Sequence, residues 1–201
     1  MVKKVNLRSS NPQGGFSLIE AMLAFVVIMI LSGIAIPNII TSLNNLRLRT
    51  AAAEFSALVQ RARITAVRQN ATYTMAFGLP TGNGTYVYAS SGSSTYSSSD
   101  EMVQFGGNVK QVAAPAGALG KPANLDASGG PLGWTATAGN MSFNSRGLPC
   151  NSGTNPCGTN VNYIFYFSDT RALGGSGWAA VSISAAGHPT QWFWNGSSWI
   201  N

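Results

Sequence analysis

The chain has 201 residues, a formal net charge of +6 at pH 7, 45% hydrophobic and only 9% charged residues, and 23 glycines. That size suits one modest globular domain plus a separate apolar segment, and so little charge beside so much glycine argues against a typical cytosolic enzyme. The basic balance does not by itself indicate nucleic acid: Lys3, Lys4 and Arg8 precede the apolar run, and losing them in processing would leave about half the net charge.

From Ala21 to Ile40 only Ser32, Gly33, Pro37 and Asn38 interrupt an apolar sequence, which gives roughly the 20 residues that cross a bilayer as a helix. Lys3, Lys4 and Arg8 flank it on one side, Arg47 and Arg49 on the other, so the positive-inside rule modestly favours a cytoplasmic N-terminus, with everything after Ile40 outside. A secretory signal would share the basic start and could use Gly33 and Ala35 as a cleavage site. It would explain neither Glu20 nor Pro37, and it would leave a proline close behind the cut.

The residues Gly15-Phe16-Ser17-Leu18-Ile19-Glu20, after a short basic leader and before a long apolar helix, resemble the processing site of type IV prepilins and type II secretion pseudopilins. The resemblance implies a membrane-embedded prepilin peptidase that cuts between Gly15 and Phe16 on the cytoplasmic face and methylates the new N-terminus at Phe16. Cutting after Gly14 instead would leave a glycine first and shift the glutamate out of register. A lone carboxylate in the apolar zone costs about 2.5 to 3.5 kcal/mol on insertion scales, and an opposite charge in the same low-dielectric layer offsets it. The resemblance supplies that charge: Glu20 meets the Phe16 amine of a neighbouring subunit as a filament assembles. The competing reading has Glu20 snorkel to the headgroups near the helix start. Pro37 lacks the N–H that the Gly33 carbonyl would receive, so the helix is expected to bend or loosen across this pair, as the resemblance implies for assembled filaments. A tolerated membrane-helix proline is the plainer reading.

Beyond Ile40 the helical pattern continues. Leu48, Ala52, Phe55, Val59, Ala62 and Ala66 recur at three- and four-residue steps as one apolar stripe, while Arg47, Glu54, Arg61 and Arg68 repeat at seven on the polar side. A helix from about Phe16 to Asn70 would span on the order of 80 Å at 1.5 Å per residue.

The rest reads as strands. "TYTMAF" and "TYVYA" flank a turn-like "GLPTGNG" as a hairpin would; "SSGSSTYSSSD" reads as low-complexity and mobile; one strand is expected over Met102 to Val112; and "AAPAGALGKPANLDASGGPLG" is too rich in Ala, Gly and Pro for regular structure. The long loops are candidate contact surfaces. "NMSFNSRGLP", "VNYIFYFS", "GWAAVSIS" and "PTQWFWNGSSWI" give four strand-like pieces. Ala179, Val181 and Ile183 share a face, Trp192 and Trp194 share another with Phe193 opposite, and Asn195-Gly196 marks a tight turn. This strand pattern, from about Met141 onward, resembles the FimT/GspH group of minor pilins and pseudopilins.

Cys150 and Cys157 are the only cysteines and sit in "CNSGTNPC", so outside the cytoplasm a disulfide closing that loop is the simplest reading. The one histidine, His188, lies in a turn between Gly187 and Pro189; no metal ligand set, cofactor or catalytic constellation is expected, and the chain reads as no enzyme. Some FimT-type minor pilins resemble one another in a basic Gly-Arg-x-Arg element that serves DNA uptake. Here Gly187-His188-Pro189-Thr190 stands at that place without either arginine, leaving Lys110, Lys121, Arg146 and Arg171 as sparse head cations, so DNA is not the favoured partner.

The expected fold is therefore α+β: a leader at 1–15, a transmembrane and filament-core helix at 16–40, its amphipathic continuation at 41–70, and an antiparallel β-sheet head at 71–201 with low-complexity stretches at 79–101 and 113–133. The expected partners are the prepilin peptidase, other pilin or pseudopilin subunits and the bacterial inner membrane, crossed once with the head periplasmic. Type IV pilus and type II secretion use the same leader, helix and head type.

Overall fold

A computed structural model of the protein describes residues 15–78, 85–91, 95–115, 122, 125, 134–136, 140–151, 161–169 and 177–201. The chain divides into two compact units between Ile40 and Thr41. Helix α1, Leu18–Gln69, contributes to both.

In the first unit the helix opens at Ser17, whose carbonyl accepts the N–H groups of Glu20 at 3.0 Å and Ala21 at 3.1 Å. Its apolar side chains are bare to solvent throughout: Phe16 is 86% and Met29 72% exposed. Two polar side chains are satisfied by the helix itself. Ser32 Oγ donates to the Ile28 carbonyl at 2.7 Å and Asn38 Nδ2 to the Ile34 carbonyl at 3.2 Å, the local bonding that lets polar groups sit in an apolar medium. The helix assignment runs through Pro37 without a break.

In the second unit α1 buries the stripe that its periodicity predicts, Leu48, Ala52, Phe55, Val59, Ala62 and Ala66, together with Asn44, Ala51, Ser56 and Leu58. The polar row is less uniform than its spacing suggests. Arg61 and Arg68 are exposed, but Arg47 and Glu54 are half-buried, and Arg61 pairs with Glu101. Asn70 ends the helix in the left-handed region, at φ 49°, while the Ala71 N–H closes back on the Ala66 carbonyl at 3.1 Å.

Among the described residues two sheets complete this unit. The first has five strands in the order β3-β2-β1-β6-β7, namely β1 Tyr73–Phe77, β2 Tyr86–Ser91, β3 Glu101–Gln104, β6 Met141–Phe143 and β7 Pro149–Asn151. The second has six: β4 Val109–Val112, β5 Trp134–Ala136, β8 Asn162–Asp169, β9 Trp178–Ile183, β10 Pro189–Trp194 and β11 Trp199–Ile200, with the path β11-β10-β9-β8-β4 and β5 also on β8. β1 and β2 form the expected antiparallel hairpin, with Phe77 opposite Val87.

The α+β fold, a long helix on mainly antiparallel sheets, is as expected, and four details refine the sequence reading. The single strand expected over Met102 to Val112 is two strands in different sheets, because Gly107 turns the chain at φ +70° between them. The head is not wholly antiparallel: β5, which three residues of pattern could not announce, runs parallel to β8 with Trp134 opposite Asn162. It shares one edge of β8 with antiparallel β4, whose Val112 faces Tyr166. "NMSFNSRGLP" and "PTQWFWNGSSWI" each hold a hairpin rather than one strand, β6–β7 around Gly147 and β10–β11 around Asn195-Gly196. The serine-rich stretch is in part ordered: β2 extends to Ser91, Ser97 N–H donates to Asp100 Oδ2 at 2.6 Å, and Tyr96 packs edge-on to Tyr88 at 5.6 Å. Most of 113–133 lies outside the described residues.

Phe55 joins helix and sheets. Its ring lies 5.4 Å from Phe77 in the first sheet and 5.1 and 5.3 Å from Phe165 and Phe167 in the second. Tyr163, Phe165 and Phe167 of β8 share this core with Ala179, Val181 and Ile183. The alternate residues Ile164 and Tyr166 face a second cluster with Leu125, Ala180 and Trp192, so β8 is buried on both faces. Trp192 Nε1 donates to Ser182 Oγ at 2.9 Å, which satisfies the indole inside that cluster.

Truncating a ring that touches three others leaves a cavity on both sheets at once, so Phe55→Ala should lower stability by about 3 to 5 kcal/mol, read from the denaturant midpoint. Burial also pushes the Tyr163 hydroxyl from 10.0 up to about 12. The folded chain therefore holds this proton more tightly than the unfolded chain, and the stability it contributes is complete below the ordinary value and lost as pH rises through about 12. Titration of the melting temperature should show that alkaline decline in wild type and a smaller one in Tyr163→Phe.

Candidate assembly site

The residues that the sequence marks for processing and assembly, Gly15, Phe16, Glu20, Gly33 and Pro37, all lie in the first unit and all are exposed. Glu20 stands in the first turn of α1, where the positive end of the helix dipole favours a carboxylate. It makes no ion pair among the described residues, and it is the only charged side chain between Arg8 and Arg47. A negative charge thus sits at the head of a long apolar surface with its counter-charge still to be supplied.

Gly15 and Gly33 are not explained by the fold of the single chain. A Cβ at either would meet nothing within 4 Å, and neither has the positive φ that calls for glycine. At Pro37 the missing N–H leaves the Gly33 carbonyl without its partner four residues on, although the helix continues on both sides. Among the described residues one helix is long and apolar enough to cross a membrane, with mean hydropathy 2.5 over its best window and none of that window buried.

The remaining expectations fall on the second unit. Cys150 is buried on β7, with its Sγ 3.4 Å from the Ser142 carbonyl oxygen, and no described cysteine is a free thiol. Cys157 lies outside the described residues, as do Lys121 and Arg171. His188 is exposed in the β9–β10 turn, where its N–H donates to Ser184 Oγ at 3.2 Å and its carbonyl accepts the Ser184 N–H at 3.0 Å. Among the described residues no three His, Cys, Asp or Glu side chains gather as a metal site.

Two residues carry geometry that sequence reasoning missed. Arg63 of α1 lies beneath two turns at once: a Cβ at Gly147 would come within 3.1 Å of its Cγ, and one at Gly187 within 3.2 Å of its Nε and 3.0 Å of the Gly147 carbonyl oxygen. Both glycines have positive φ, +74° and +79°, so the β6–β7 and β9–β10 turns meet over the arginine stem only because neither carries a side chain. Arg49 lies over the Phe193 ring, 5.0 Å from its centroid. Neither arginine belongs to the seven-residue repeat of Arg47, Glu54, Arg61 and Arg68, and no sequence signal marked either contact.

Comparison with known proteins bears on the N-terminus above all. The family model "Prokaryotic N-terminal methylation motif" matches residues 10–36. No curated protein matches the chain. Among solved structures it is similar to the type IV minor pilin FimU of Pseudomonas aeruginosa (strain PAO1) in two crystal forms. The first is 18% identical with TM-score 0.46 and covers 77% of this chain and 92% of that one. The second is 18% identical with TM-score 0.45, covering 72% and 91%. The chain is prepilin-like: it carries the N-terminal methylation motif at the head of a bare apolar helix, and the motif supports its reading as a type IV minor pilin or pseudopilin.

Proposed function

We propose that the protein is a minor pilin or pseudopilin subunit of the FimT/GspH kind, structural rather than catalytic, which enters the inner membrane as a precursor, is processed, and joins or primes a type IV pilus or type II secretion pseudopilus. The observation that carries this reading is the methylation motif over residues 10–36, running into an apolar helix whose side chains the chain leaves uncovered. The N-terminus stays cytoplasmic and the head is periplasmic.

Prepilin peptidase cuts between Gly15 and Phe16. Gly15 has no intramolecular neighbour that would require it, which fits selection by an enzyme's cleft. The new amine of Phe16, methylated, is a cation at the edge of the apolar layer. Glu20 meets the amine of a neighbouring subunit there and offsets the cost, about 2.5 to 3.5 kcal/mol, of an unpaired carboxylate in that layer. Gly33 and Pro37 give the helix a stretch of weakened backbone bonding that can loosen as subunits pack. DNA uptake is the lesser reading: residues 187–190 include no arginine, Arg63 beneath that turn is half-buried, and among the described head cations of the strands and loops only Arg146 is exposed.

Expressed with its peptidase, the mature chain should begin at methylated Phe16 by N-terminal sequencing and intact mass; a start near Ile36 would instead mark an ordinary signal peptide. Glu20→Ala should still be cleaved and stay in the membrane, yet enter filaments on the order of tenfold less, the equivalent of about 1.4 kcal/mol. Incorporation equal to wild type would return Glu20 to a snorkelling role. Gly15→Leu should leave the precursor uncut.

A disulfide between Cys150 and Cys157 closes the short loop after β7 in the periplasm. It is supported by the burial of Cys150 and by the absence of free thiols among the described residues. For a loop this small the bond contributes about 2 to 3 kcal/mol. Intact mass of periplasmic protein should rise by two hydrogens on reduction, whereas two thiols alkylated without reductant would refute the pairing.

A further inference from the structure

The tip of the β10–β11 hairpin holds chemistry that neither processing nor subunit pairing uses. Asn195, Gly196, Ser197 and Ser198 are all exposed there, between Trp194 and Trp199, which face each other across the hairpin. The loop closes through the Asn195 N–H, which donates to the Ser198 carbonyl at 3.1 Å. The returning bond goes to a side chain: the Ser198 N–H donates to Asn195 Oδ1 at 2.8 Å. Ser197 adds both its N–H and its hydroxyl to the same oxygen, each at 2.9 Å. Nδ2 of Asn195 donates to Ser198 Oγ at 3.3 Å.

Three donors fixed on one amide oxygen do more than hold a turn. They draw electron density from the carbonyl, and they stand ready for any negative charge that the oxygen takes up, as the donors of an oxyanion hole do. The nucleophile is next in the chain. The Gly196 N–H donates to no group among the described residues, and a Cβ at that position would meet nothing within 4 Å. Its nitrogen is therefore neither tied up nor crowded, and it carries no side chain of its own to hinder ring closure.

We propose that Asn195 is a site of spontaneous deamidation that the folded turn accelerates, with water as the only co-reactant. The Gly196 nitrogen gives its proton to solvent and bonds to Asn195 Cγ, the carbonyl electron pair moves to Oδ1, and the donors at 2.8 and 2.9 Å hold that oxyanion. Collapse breaks the bond from Cγ to Nδ2, which leaves as ammonia with a proton from water, and a cyclic imide remains. Water then opens the imide. Attack on the side-chain carbonyl gives aspartate in an unchanged main chain; attack on the main-chain carbonyl gives isoaspartate, whose main chain is one carbon longer. Aspartate keeps an acceptor for the same donors and adds a negative charge at the tip. Isoaspartate shifts Ser198 against Asn195, and with it Trp199 against Trp194, whose rings stand 5.7 Å apart.

Incubation of the full-length protein in detergent micelles at neutral pH, in water enriched in heavy oxygen, tests it by peptide mapping. Each event should place one heavy oxygen at residue 195, in aspartate and isoaspartate together. The same chain unfolded in guanidinium is the comparison, with each rate divided by that of an Asn-Gly-Ser-Ser peptide in the same solvent. The native chain should react about fivefold faster than the unfolded one, the weight of one net hydrogen bond. Ser197→Ala, an exposed substitution, takes the hydroxyl donor from Oδ1 and should slow the native chain about fivefold while leaving the unfolded rate unchanged. Ser198→Ala takes the acceptor from Nδ2 but no donor from Oδ1, and should alter the native rate less than about twofold. No heavy oxygen at residue 195 would overturn the proposal, as would a native chain that reacts more slowly than the unfolded one. Equal effects of the two serine substitutions would also overturn it, since loosening of the turn would then account for both.

Discussion

Apolar surface that a chain does not bury must be covered by something else, and α1 divides at that constraint. From Leu48 onward its apolar stripe is closed by two sheets, with Phe55 in contact with both. Before Ile40 the same helix carries large apolar residues on every side and none is covered. Hydrophobic burial at roughly 25 cal/mol per Å² makes such a surface untenable in water, so this half of the helix takes its partner from a bilayer or from other subunits. Under the proposed function, the carboxylate of Glu20 and the residues Gly15, Gly33 and Pro37 would serve such partners.

The head, by contrast, is closed around its own interior. β8 is its central element, buried on both faces, paired with β9 on one edge and with β4 and β5 end to end on the other. Its alternation sends Phe165 and Phe167 to the helix side and Ile164 and Tyr166 to a second cluster that Leu125 helps cover. A residue from an Ala/Gly/Pro-rich segment thus closes the back of the sheet. Outside that core lie the β6–β7 and β9–β10 turns over Arg63 and the contact of Arg49 with Phe193.

What the sequence made legible follows from how local each signal is. The stripe from Leu48 to Ala66 was readable because helix period alone sets it, and Asn195-Gly196 marked a hairpin turn, although the loop closes over the four residues 195–198 rather than over that pair alone. The division of Met102–Val112 between two sheets was not readable, since Val109 and Val103 look alike until their partners Asp169 and Val87 are known. β5 was missed because a three-residue parallel pairing leaves no pattern. At the site, Gly15 and Glu20 stood out because the N-terminal methylation motif is written in contiguous residues. The contact of Arg49 with Phe193 joins distant parts of the chain and had no sequence mark, and neither did Arg63 beneath Gly147 and Gly187.

The central claim is that the bare half of α1 resides in a membrane, and alkaline extraction of membranes from cells expressing the full-length chain tests it most directly. Wild type should remain in the membrane pellet. A Val27→Lys, Ile30→Lys double variant places two charges mid-helix at about 2.5 to 3.5 kcal/mol each, so it should move to the supernatant, with the head shown to be folded by tryptophan emission after return to neutral pH. Wild type released by alkali, or the double variant retained as firmly as wild type, would contradict the account.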